Sequence, residues 1–387
     1  MQDDFHYNAT YLAAILAGYK PEEAFVISYS AQFVDCCSAT FIKNVKGPVN
    51  AATTQLQLEL MEQRTDIWGL QEITRIWAAF HFLPYDLKAS LKHRSKLYMS
   101  KYRLLCNSNG ALVKDTVKLA KGGSLEAVGI AMHVLADTWA HKYFAGTPTL
   151  VLNDTNDYFF ELLQEEEEEN IRKIKFRHSA GSPDEPEKSL YTNSLHQDSE
   201  NNIMNLGHGR AGHLPDYSFI RYKYMPAWGN YKEIIKDNPS DYYKAFCQMV
   251  YALKYLKGDY EEFKLDTYAY ETVSPFRDDI MAIICKRQLN ARDDWRDLGA
   301  RVSGAEEEEF DVKKYQQEYL EASKETKKDT FLGRFFGAAI AQKSMVTNKI
   351  FETGNLIAGY SINASHGMDK VRDVNKLVKR TIKGSKK

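Results

Sequence analysis

His133, Asp137 and His141 stand at i, i+4 and i+8 in the stretch GIAMHVLADTWAHKYF, residues 129–144. On a helix that spacing projects all three from nearly the same face, so two imidazoles bracket one carboxylate, each a turn above the last. A divalent cation such as zinc binds neutral nitrogen and anionic oxygen at short range, and this is the donor set it requires. The competing reading is a buried polar ladder in which each histidine merely finds a hydrogen-bond partner. Three aligned ligand types favour the metal.

The positioning element for these residues is a helix over 129–144. It follows the Gly122-Gly123-Ser124 punctuation, carries apolar residues at helical spacing and is stopped by Gly146 and Pro148. Further candidate ligands are scattered along the chain. His6 opens a short helix that Gly18 ends. Asp35 lies on or beside the apolar face of a helix predicted over 21–42, which begins at Pro21 and has Glu22 and Glu23 in its first turn. On its own residues Asp35 is either a ligand or a solvated edge group. His81 sits in FHFLP at the end of a helix over 71–82, where the alternative is a histidine filling a gap among aromatics. The segment NLGHGRAGHLPD, residues 205–216, has three glycines that let side chains converge; His208 and Asp216 are its candidates, with His213 a third. His93, His178 and His196 read as surface residues.

A chain of 387 residues is long enough for a substantial core. Its 51 Lys and Arg against 52 Asp and Glu leave a net charge of -1, which gives no global attraction to nucleic acid or membrane. Five cysteines form no CxxC pair, which suits a reducing compartment and argues against a thiolate metal site. The first residues lack the basic and apolar regions of a secretory signal, and no apolar run spans a bilayer. A cytoplasmic location is the expectation, with signal-free export as the other route.

Residues 154–170 read as a helix running into the acids Glu165–Glu169, and the polar stretch that follows as a long acidic loop insertion over about 165–203. Helical periodicity returns over 240–256 and 276–297, where aromatic stripes mark core. Residues 306–328 are a charged helix or linker. Residues 331–360 read as a capping helix, with a partner-binding or membrane-surface helix as the alternative, followed by a basic tail from 370 to 387. The expected division is a helical domain over 1–300 and a charged linker with a C-terminal helical extension over 301–387.

In chain order these candidates resemble the ligand series of the zinc-dependent phospholipase C and P1 nuclease superfamily, and more narrowly an uncharacterised bacterial branch of it. The likeness rests on Phe5-His6-Tyr7, on Asp35 in AQFVD, on His81 in FHFLP and on His133 with Asp137 in HVLAD, and it covers roughly the first 225 residues. It implies an all-α, multi-helix bundle holding two to three zinc ions, or other divalent metals. By the resemblance Asp35, His81, His133 and Asp137 hold one ion, His141, His208 and Asp216 a second, and His6 shares Asp137 with a third. Gly212 stands where the family's closing acid would follow His208, so Asp216 takes that place. The implied activity is phosphodiester hydrolysis by a metal-bound hydroxide, with phospholipid the expected substrate class, Asp35 as general base and Asp137 as bridge. Two alternatives stand beside it. One is a single-strand nuclease on the same metals, with Phe80, Phe82 and Trp139 stacking bases. The other is a non-enzymatic scaffold or effector with a structural metal site and a protein or membrane partner bound through 331–387.

Overall fold

In the computed structural model, residues 1–63, 65–153, 155–163, 171–174, 206–208 and 211–359 are described. The chain begins with a π-helical turn, Phe5–Ala9, that runs into α1 (Thr10–Leu16). There follow α2 (Pro21–Phe33), α3 (Ala39–Asn44), α4 (Gln57–Gln63), α5 (Ile67–Phe80), α6 (Lys96–Tyr102), α7 (Ala111–Ala120), α8 (Leu125–Ala140) and α9 (Leu150–Asn153). Strands β1 (Thr155–Leu162), β2 (Ile171–Lys173), β3 (Arg221–Pro226) and β4 (Ile234–Asp237) come next. The chain then returns to helix with α10 (Asn238–Lys257), α11 (Tyr270–Val273), α12 (Arg277–Cys285), α13 (Arg292–Ser303), α14 (Gln316–Glu321) and α15 (Phe331–Glu352). The protein is mostly helical, and no described helix is long and apolar enough to cross a membrane.

The expectation of an all-α chain is corrected by a four-stranded antiparallel sheet in the order β2-β1-β3-β4. Residues 155–162, expected within a helix, form β1. They pair with nearby β2 on one side and non-locally with β3 on the other, where Phe159 lies opposite Tyr224 and Glu161 opposite Tyr222, both buried. Long-range pairing of this kind overrides a local pattern. Of the insertion expected over 165–203, β2 and Ile174 are described. The acidic run 165–169, His178, His196 and the basic tail 370–387 lie outside the described residues.

α8 forms the axis of the molecule. Ser124 caps it by accepting from the Ala127 amide, and every residue from Val128 to Ala140 is buried. A helix apolar on all sides must be enclosed. α2, α7, α10 and α15 pack around it. At Gly129 a Cβ would lie 2.4 Å from the Ile27 carbonyl oxygen and 2.5 Å from the Ser30 Cβ, so the missing side chain is what lets α2 cross so closely. The helix expected over 21–42 is broken: α2 stops at Phe33, Asp35 falls in the turn, and α3 restarts behind the Ser38 cap.

α15 lies in the same core as α8. Phe331, Leu332, Phe335, Phe336, Val346 and Ile350 are buried in it. Its polar residues are also tied inward: Gln342 donates to the Ala79 carbonyl and Thr116, and Lys343 pairs with Glu72. A second, aromatic layer of Phe82, Phe144, Phe159, Tyr222 and Tyr224 joins the sheet to the C-terminal end of α8.

Candidate metal centre

The C-terminal half of α8 supplies His133 and Asp137, and His141 caps its end. The His133 ring is aimed by α2: Nδ1–H donates to the Ala31 carbonyl at 2.9 Å, which leaves the lone pair on Nε2. His81 caps the C-terminus of α5. Its Nε2–H donates to the Thr53 carbonyl at 2.9 Å, leaving the lone pair on Nδ1. His141 is fixed in the same way, Nδ1–H donating to the His81 carbonyl at 2.6 Å. Three backbone carbonyls therefore set three tautomers.

The freed atoms converge. His81 Nδ1, His133 Nε2 and Asp137 Oδ2 stand 3.2 Å from one another. Asp35 Oδ1 completes the group at 3.7 Å from His81 and 3.9 Å from His133. A tetrahedral ion with ligands at about 2.0–2.1 Å needs its donors about 3.3 Å apart. The three inner separations fit, and Asp35 stands slightly outside that spacing.

Asp137 turns its other oxygen to a second group. Oδ1 lies 3.0 Å from His6 Nε2, and the His6 ring stacks on His133 with centroids 3.8 Å apart. His6 Nδ1 is buried with no hydrogen-bond partner. The amino group of Met1 sits 2.8 Å from Asp137 Oδ1, 3.3 Å from Asp216 Oδ1 and 3.4 Å from His141 Nε2, so a cation already stands among these acceptors. Asp216, at the end of the 3₁₀ turn Leu214–Asp216, is 3.2 Å from His141 Nε2 and 3.5 Å from His208 Nε2. Its backbone is held by Tyr242, whose hydroxyl donates to the Asp216 carbonyl at 2.7 Å.

His208 is positioned through Gly207. The Gly207 amide donates to the Ala145 carbonyl at 2.9 Å, its φ is +59°, and a Cβ there would strike the Phe82 ring at 2.3 Å. Phe82 in turn stacks on His141 with centroids 4.5 Å apart.

The electrostatics favour ligand protonation states at Asp137, Asp216, His6 and His208, whereas at His81 burial, which would lower the ring, is outweighed by Asp137 and Asp35 and the group is raised. Burial, which would raise the Asp137 carboxyl, is outweighed by His141, the Met1 amino group, His133 and His6, and the group is held well below the usual carboxylate range. Asp216 behaves likewise: burial is outweighed by the Met1 amino group and His208. Burial lowers His6 to about 4, helped by His133, and His208 to about 3, helped by His141. Both are neutral imidazoles at neutral pH. Burial and Asp216 act oppositely on the Met1 ammonium, and the carboxylates Asp137 and Asp216 raise it to about 11.

All eight sequence-predicted residues, His6, Asp35, His81, His133, Asp137, His141, His208 and Asp216, thus meet in one place. They divide into His6-His133-Asp137, Asp35-His81-His133 and His141-His208-Asp216, each with donor atoms mutually within 4.8 Å. The sequence gives no sign of the Ala31 and Thr53 carbonyls. His213 joins at the edge, Nδ1 3.0 Å from Asp216 Oδ2. The centre is buried except at Asp35, His208 and His213, whose side chains are 34%, 19% and 42% exposed and mark where solvent reaches it.

The profile of a family described as "Family of unknown function (DUF6765)" matches residues 1–350. No curated protein and no solved structure matches the chain.

Proposed function

We propose, for a chain that belongs to this family of unknown function, that it is a metal-dependent phosphodiester hydrolase with a reaction of the phospholipase C type. One observation carries the reading: two imidazole lone pairs, on His81 Nδ1 and His133 Nε2, face each other at 3.2 Å beside Asp137 and Asp35. Acceptors buried against one another repel unless a cation or proton lies among them. The other acceptors converge as well, His6 Nε2 at 3.0 Å from Asp137 Oδ1 and His141 Nε2 at 3.2 Å from Asp216 Oδ1.

Divalent ions held there would polarise phosphoryl oxygens and supply an ionised water at neutral pH. The chain's own residues do the rest. Asp137 turns Oδ1 toward His6 and Oδ2 toward His81 and His133, so it would serve both ligand groups. Asp35 is the acid at the solvent side, where an attacking water enters, and it accepts that water's proton. The carbonyls of Ala31, Thr53 and His81 hold the imidazoles in their ligating tautomers, so no reorganisation is needed as a phosphodiester binds.

The nuclease alternative loses its stacking faces. Phe80, Phe82 and Trp139 are buried in the core or against His141, where no base can lie on them. Metal analysis of the purified protein is expected to return about two to three zinc ions per chain. A choline phospholipid, a bis-aryl phosphate and a single-stranded oligonucleotide, assayed together, then separate lipase from nuclease. Asp137→Asn is expected to remove most of the metal and to lower turnover at least about a hundredfold. Full activity in that variant would reject the assignment, and metal without turnover on any of the three would leave the scaffold reading.

A further inference from the structure

Several large apolar side chains of α4, α5 and α6 are exposed. Leu58 of α4 is 74% exposed, Ile67 and Trp68 at the start of α5 are 66% and 73%, and Leu97 of α6 is 68%. A cluster of that kind marks a binding surface. Ile67 and Leu97 line a groove of 980 Å³ whose walls include Leu70, Met99, Leu356 and Ile357. Four cations also line it, Arg94, Lys96, Lys101 and Arg103, and no acid does. Arg94 and Arg103 are partly engaged, by Asn230 and the Ala89 carbonyl. Lys96 and Lys101 have no ion-pair partner among the described residues.

The charge decides between occupants. The chain's own C-terminal segment starts beside the groove, since Gln71 and Arg75 of α5 hold the Leu356 and Ala358 carbonyls. That segment, 360–387, carries eight Lys and Arg against two Asp. A cationic segment is repelled by a cationic groove. A second copy docked face to face would set four cations against four, which is also disfavoured. An anionic lipid surface suits both. Its headgroups neutralise the lysines and arginines, and its acyl region accepts Trp68 and the aliphatic side chains.

We propose that the groove between α5 and α6, lined by Ile67, Leu97 and the four cations, docks on a bilayer containing anionic phospholipid. The inference does not depend on the metal reading, because docking is measured without turnover and with chelator present. The test is co-sedimentation of the full chain with phosphatidylcholine vesicles, with and without phosphatidylglycerol. Binding is expected only with the anionic lipid, weakening as salt rises, and about tenfold weaker or more in the double variant Lys96→Glu, Lys101→Glu. A blue shift of tryptophan emission on binding is expected to be lost in Trp68→Phe. Trp68, Lys96 and Leu97 are exposed and Lys101 is half-buried, and circular dichroism of each variant checks that the fold is kept. Equal binding to neutral vesicles overturns the proposal, and so does undiminished binding of the double variant, which would assign attraction to the tail alone. Self-association abolished by Leu97→Ser, with no vesicle binding, overturns it in favour of a second copy.

Discussion

At His81, His133 and His141 the main chain decides which ring nitrogen is free. A carbonyl fixed by helix packing takes the proton of the far nitrogen, and the near one is left as an acceptor aimed at the carboxylates. One buried acid outside the centre follows a different logic. Glu307 accepts from Asn8 through Oε2 at 2.7 Å, while its Oε1 is buried without a partner. Burial pushes its carboxyl from 4.5 to about 7, against the opposing pull of Asn8 and Arg296. The native state therefore keeps a proton that the unfolded chain has already shed. The contribution to stability is undiminished below the unfolded value and falls as pH rises from there through about 7. Glu307→Gln removes this titration and keeps the Asn8 contact. It is expected to match the natural protein near pH 4 and to exceed it at about pH 8 by roughly 1–3 kcal/mol. Thermal unfolding at both pH values checks this, and parallel pH profiles would show that Glu307 is ionised in the fold.

At the scale of elements, the crossing of α2 over α8 is what assembles the first ligand group, because it brings the Ala31 carbonyl and the Asp35 turn to His133. Gly129 sits at that crossing. Gly129→Ala would place a Cβ 2.4 Å from the Ile27 carbonyl oxygen, and backbone cannot yield as a flexible side chain would. The expected result is a loss of about 1–3 kcal/mol of stability and of about 10–100-fold in metal affinity. Gly337→Ala on α15 is the control. Its Cβ would meet nothing within 4 Å, so no loss of metal is expected there. Equal effects at the two glycines would count against the crossing as the positioning device. The ligands on α8 are legible in the sequence because a helix turns a spacing of four into one face, and His81 is legible because Pro84 marks the helix end that presents it. The carbonyls that orient them are not, since every residue has one and only tertiary packing selects among them. β1 is hidden for a related reason: its partner β3 lies far along the chain, beyond any local period.

For the whole molecule, the position of α15 bears on what the C-terminal region does. Its composition allows a detachable helix for a partner, yet Phe331, Phe335, Phe336 and Ile350 fill the core around α8, and Gln342 reaches the Ala79 carbonyl two residues before His81. Each such buried side chain contributes about 1.5–3 kcal/mol, so together they rival the 5–15 kcal/mol that holds a typical domain. A chain ending at residue 359 keeps all of these contacts and is expected to unfold cooperatively at the temperature of the full protein with its metal content unchanged. A chain ending at residue 330 is expected to lose cooperative unfolding and metal together, because α5 and α8 carry His81, His133 and Asp137 and lean directly on α15. Calorimetry with metal analysis on both chains makes the comparison. If the shorter chain held its metal and its transition, α15 would be an appendage and the centre would rest on the first 330 residues alone.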